Sequence, residues 1–96
     1  MCAFQGAHFI WEDIRYMETR VVIIAIIVED PESVTAVNHL LHEYAQYIIG
    51  RMGLPYRARN MNIISVVLDA PHDEVSTLSG KIGRLKGVSA KTVYSR

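Results

Sequence analysis

Ninety-six residues, with ten basic and ten acidic side chains balancing to zero formal net charge, make one domain. Such a chain holds a single core, leaves no room for a separate catalytic or DNA-binding domain, and lacks the field that would gather nucleic acid, an anionic membrane or an acidic substrate. Its single cysteine, Cys2, excludes an internal disulfide framework and a multi-cysteine zinc site, which fits a reducing cytoplasm.

Residues 1–16 show no sustained period and have neither the basic start nor the unbroken apolar core of an export signal. Two readings stand for them. Trp11-Glu12-Asp13 can be encoded so as to contain a ribosome-binding sequence, which would put the true start at Met17. Alternatively, this is an N-terminal arm that packs Phe4, Phe9, Ile10 and Trp11 on a neighbour. Either way the folded domain is expected over residues 17–96.

Arg20–Val28 carries eight apolar residues in a row, too few to span a bilayer as a helix and rich in β-branched side chains. It reads as a central strand, with Val21, Ile23, Ala25 and Ile27 on one face and Val22, Ile24, Ile26 and Val28 on the other. Asp30-Pro31-Glu32 then starts a helix: Asp30 is the N-cap, Pro31 takes the first helical position, and Glu32 complements the dipole. Val34, Val37, Leu41, Tyr44, Ala45 and Ile48 form its apolar stripe, with Asn38, His39, His42 and Glu43 on the solvent side. The helix is expected to stop near Tyr47. Ile48–Tyr56 follows as an edge strand, where Gly50, Gly53 and Pro55 are tolerated, and Arg57–Asn60 turns into the next strand.

Met61–Leu68 reads as a second buried strand, broken by Asp69-Ala70-Pro71. A second helix begins at His72 or Asp73, carries Val75, Leu78, Ile82 and Leu85 at helical spacing, and closes at Lys86-Gly87. Gly80 and Gly83 within it leave bare backbone, which allows either close helix packing or a ligand. Val88–Ser95 is the last strand. The order β-α-β-β-α-β predicts an α+β, ferredoxin-like two-layer sandwich, with an antiparallel sheet, the first and third strands central, and both helices on one face. The other face would be unusually apolar, so a homo-oligomer is expected, joined through that face or the sheet edges.

From Met17 to Arg96 the chain resembles the regulators of the iron-only hydrogenase system, an ACT-like group related in fold to the C-terminal domain of nickel-responsive repressors. The match rests on Val37-Asn38 with Leu40-Leu41-His42, on Arg51, Gly53 and Pro55, and on Asn60-Met61. It continues through Leu78-Ser79-Gly80-Lys81-Ile82-Gly83, Gly87-Val88 and Lys91-Thr92-Val93. The resemblance implies a regulatory role, and an effector site is accordingly sought among Asp30, Asn38, His42, Arg51 and Asn60. Where amino-acid-binding ACT domains often carry a glycine after the first strand, this chain has Asp30-Pro31-Glu32, which argues against amino-acid sensing. The nickel sensor's set of histidines and a cysteine does not map onto it.

Read from the residues, the same positions have plainer roles as well. His39 and His42, three apart on an exposed helix face, suit a divalent-metal sensor or chaperone if Glu43, His72 or a second copy completes the set; as a pair they read as solvated. Arg51, Arg57 and Arg59 suit an anion or a partner's carboxylate, or simply guard an edge. Ser79 and Lys81 beside Gly80 lie within a helix and do not make a phosphate loop. No nucleophile stands with a recognisable base and acid, and no helix-turn-helix or ribbon-helix-helix precedes the domain. An enzyme, a cofactor, direct nucleic-acid binding and membrane attachment are therefore not expected; a small-molecule effector or a protein partner is.

Overall fold

The computed structural model describes residues 19–95; the extension at residues 1–16 lies outside them. Strand β1 (Thr19–Val28) leads through a 3-10 turn at Pro31–Ser33 into helix α1 (Val34–Glu43), and a second 3-10 turn, Ala45–Tyr47, leads into β2 (Ile48–Tyr56). A third turn, Arg57–Arg59, joins β2 to β3 (Met61–Pro71), followed by α2 (His72–Gly83) and β4 (Val88–Tyr94). The strands lie in the order β2-β3-β1-β4 with every neighbouring pair antiparallel. This is the expected ferredoxin-like arrangement.

Alternation decides which side chains enter the core. Val22, Ile24, Ile26 and Val28 of β1 are buried, as are Ile64, Val66, Leu68 and Ala70 of β3, and these face Val37 and Leu41 of α1 and Val75, Leu78 and Ile82 of α2. Since a buried valine or leucine is worth about 1.5–3 kcal/mol, this one layer between sheet and helices holds the domain together. β4 repeats the alternation more weakly: Val88, Ala90, Thr92 and Tyr94 are half-buried, and Ser89, Lys91 and Val93 are exposed.

Four local expectations change. The predicted break at Asp69-Ala70-Pro71 is instead the end of β3, because β1 begins at Thr19 and supplies partners for all three residues, pairing Val21 with Asp69, Arg20 with Ala70 and Thr19 with Pro71. Ala70 points into the core there, and Pro71, at the strand's last position, costs no interior ladder bond. Ala45 leaves the apolar stripe: α1 stops at Glu43 and the tighter 3-10 turn rotates Ala45 into solvent. The second helix ends at Gly83, short of Lys86-Gly87, and the segment between is held by Leu85 N donating to Ile82 O and Val88 N to Leu85 O. The last strand ends at Tyr94, although Ser95 N still donates to Val21 O at 2.9 Å.

Among the described residues, none covers the face of the sheet turned away from the helices. On it Val21, Ile23 and Ile27, all in a central strand, remain 43%, 42% and 40% exposed. Met52, Leu54 and Tyr56 of β2 and Val93 of β4 extend the same apolar surface to both edges.

Candidate functional site

The loop after β1 is closed by its own side chains. Asp30 Oδ1 accepts from Glu32 N at 3.0 Å, so the expected N-cap forms, on the 3-10 turn that precedes α1. The other carboxylate oxygen lies 3.7 Å from Lys86 Nζ. Ser33, the one buried polar residue among those described, donates its hydroxyl to Lys86 O at 2.6 Å, and Glu29 N donates to Gly87 O at 2.7 Å. The β1–α1 loop is thus bolted to the α2–β4 loop, and the Asp30 carboxylate is spent on that joint.

A second polar contact spans α1 and β2. Arg51 Nη2 donates to Asn38 Oδ1 at 2.8 Å, fastening the edge strand to the outer face of the helix. Both side chains are exposed, and one guanidinium fork has five donors, so most of Arg51 stays free for an anionic group. His42 stands one helical turn beyond Asn38 on α1 and is exposed too. Three of the five candidate residues therefore belong to one surface. The other two do not join them: Asp30 is in the loop joint, and Asn60 ends the β2–β3 turn with φ 53°, a left-handed conformation that asparagine tolerates well. Arg57 and Arg59, both exposed, belong to that turn.

The histidines are divided. His39 Nε2 lies 3.2 Å from Glu43 Oε2, while His72, at the start of α2, rests its ring on Tyr94 with centroids 5.5 Å apart. Among the described residues no three His, Cys, Asp or Glu side chains gather as metal ligands.

Around the second helix, Ser79 Oγ is 3.3 Å from Thr92 Oγ1, and Lys81 Nζ sits 5.7 Å from the centre of the Tyr44 ring. Close packing at the helix glycines is not found: a Cβ on Gly83 would meet nothing within 4 Å, and one on Gly80 only Arg84 Nη2 at 3.9 Å. The helix leans on the sheet through Val75, Leu78 and Ile82, and these glycines lie off that stripe.

Residues 20–92 match the model of the TM1266-like family, described as "Iron-only hydrogenase system regulator, putative". The chain belongs to this family. The matched segment takes in β1 through most of β4, and every candidate site residue lies inside it. The regulator family's fold is also seen in the structure of the uncharacterized protein TM1266 from Thermotoga maritima, which is 40% identical, with a TM-score of 0.79 over 82% of this chain and 100% of that one. A formyltetrahydrofolate deformylase from Pseudomonas putida KT2440 is 15% identical with a TM-score of 0.58, covering 76% of this chain and 28% of that one. That likeness concerns the α+β, ferredoxin-like fold alone. No curated protein matches the chain.

Within this member of the family the residues that sequence reasoning missed are Ser33, Lys86 and Gly87. Lys86-Gly87 reads in sequence as a helix stop, and no local signal ties it to a serine fifty-three positions earlier. No helix of the described residues is long and apolar enough to cross a membrane.

Proposed function

We propose that the protein is a cytoplasmic, non-enzymatic, ACT-like regulatory module of the iron-only hydrogenase system that works as a homo-oligomer and responds to a small effector or a protein partner. The observation that carries this reading is the family match over residues 20–92. The bare apolar sheet face supports the oligomer, joined through that face or the sheet edges, because patches of this kind mark interaction sites. The surface of Asn38, His42 and Arg51 is where an anionic effector or a partner's carboxylate would be held, by the free part of the Arg51 fork. Asp30 and Asn60 serve the fold, in the loop joint and the β2–β3 turn.

The mechanism is a population shift. An effector that binds one packing of the oligomer better than another favours that packing by its differential affinity, and the exposed surface changes with it. Any effect on transcription passes through a partner protein, since the basic residues are dispersed and no DNA-binding element stands among the described residues.

The test is the melting temperature of metal-stripped protein against amino acids, nucleotides and divalent metals. A ligand at one hundred times its dissociation constant adds about 2.7 kcal/mol, a shift of several degrees in a domain this small. A shift confined to one class supports effector sensing. Silence across the panel removes the small effector and leaves the protein partner, to be sought by co-purification from the native host.

A further inference from the structure

The open sheet face is built in rows. Gly50, Val67, Ile23 and Val93 make one, Met52, Ser65, Ala25 and Lys91 the next, and Leu54, Ile63, Ile27 and Ser89 a third, each running from β2 across β3 and β1 to β4. Charge enters this face only at its margins, with Asp69 beyond the first row and Lys91 on edge strand β4. Val21, Ile23, Ala25 and Ile27 of central strand β1 are apolar and exposed, with Ser65 of β3 the polar neighbour beside Ala25, where an ordinary solvated face alternates to polar residues. The apolar surface runs out to both edges through Met52, Leu54 and Val93, and a contiguous patch of this kind marks an interaction surface.

We infer that this face is covered by the same face of a second copy of the chain, sheet against sheet. The inference rests on the oligomeric reading above and commits it to the face rather than the edges. Pairing along either edge extends the sheet in its own plane and leaves Ile23, Ala25 and Ile27 wet, because β1 is an interior strand and these side chains project from its face. Edge β2 is also a poor ladder: its register slips between Ile48 and Gly50, and Pro55 has no donor.

The size and charge of the face fit its own copy. Seven large apolar side chains of this face stand 40–63% exposed, and a standard interface takes roughly 800 Å² from each partner. One cation and one anion at the rim, on a chain of zero net charge, let two identical faces meet without repulsion. Stacked sheets sit about 10 Å apart, a gap that isoleucine and valine side chains fill from both sides.

The test is Ala25→Arg, at the centre of the face and away from the helix-side core, with particle mass measured by sedimentation and folding by circular dichroism. The expected result is a wild-type mass at least twice the protomer's 10.8 kDa, falling by a factor of two or more in A25R while the melt stays cooperative. An oligomeric wild type whose mass A25R leaves unchanged overturns the face and spares the oligomer; a monomeric wild type overturns both. Should A25R fail to fold, a C2S/A25C variant reports instead. Its maleimide labelling is expected to slow several-fold as concentration rises through assembly. Labelling that stays fast throughout overturns the inference, as does slow labelling of a monomer, which assigns the cover to another part of the same chain.

Discussion

Gly87 faces Asp30 so closely that a Cβ on the glycine would lie 2.7 Å from Asp30 Cβ and 3.0 Å from Asp30 N. The glycine's φ of +70° turns its carbonyl to Glu29 N and lets the two loops close. Two physical penalties therefore fall on any side chain there: left-handed backbone strain, of order 1–3 kcal/mol, and a clash with atoms that cannot swing away. Gly87→Ala is expected to cost about 2 kcal/mol or more and to lower the melting temperature by roughly 10 °C or more, since about 4–8 °C follows each kcal/mol in a domain of this size. Gly87→Asn separates the penalties: asparagine tolerates the backbone but keeps the Cβ, so it is expected to melt well below wild type. A G87N protein as stable as wild type would show that the contact is not tight.

The Asp30 carboxylate caps a backbone amide and only weakly engages an exposed lysine. Losing a cap costs about 0.5–2 kcal/mol, whereas an exposed ion pair contributes little. Asp30→Asn keeps the acceptor and is expected to melt within a few degrees of wild type; Asp30→Ala is expected to fall further. Equal losses in both would make the charge, rather than the cap, the source of stability.

Arg51 lies on the surface, so Arg51→Ala is expected to change stability by no more than about 0.5 kcal/mol. If Arg51 holds an effector or a partner's carboxylate, the same substitution abolishes any ligand-induced melting shift that wild type shows. Arg51→Lys keeps the charge but loses the fork, and is expected to restore little of it. A full ligand shift in R51A would remove this surface from the effector's path.

For the histidines, the expected outcome is that His39→Ala/His42→Ala holds divalent metal no more weakly than wild type, measured by calorimetry on stripped protein. His39 is paired with Glu43 and His72 is turned to Tyr94, so no third ligand joins the pair among the described residues. A clear loss of affinity in the double variant would revive the metal sensor.

Leu78, fully buried from α2, tests the shared core. Leu78→Ala is expected to cost about 2–5 kcal/mol, the range for large-to-small changes at buried leucines, and to show as a steep loss in a denaturant melt. A loss under about 1 kcal/mol would mean that the helix contributes less to the core than its burial implies.

The element order, the inward and outward faces of β1, the edge position of β2 and the bare apolar face are all legible in the sequence, because each follows from the local period of apolar residues and from where glycine and proline interrupt it. Asn38 and His42 could likewise be placed on one exposed helix face by counting. Tertiary structure alone decided the rest. Asp69–Pro71 pairs as strand only because Thr19–Val21 lies beside it, Arg51 reaches Asn38 only once β2 sits at the sheet edge, and Asp30 is spent on a joint with a loop more than fifty residues away. Periodicity records which way a side chain points along its own element. Which group it meets depends on strand pairing and helix placement, and these follow from closure of the whole core.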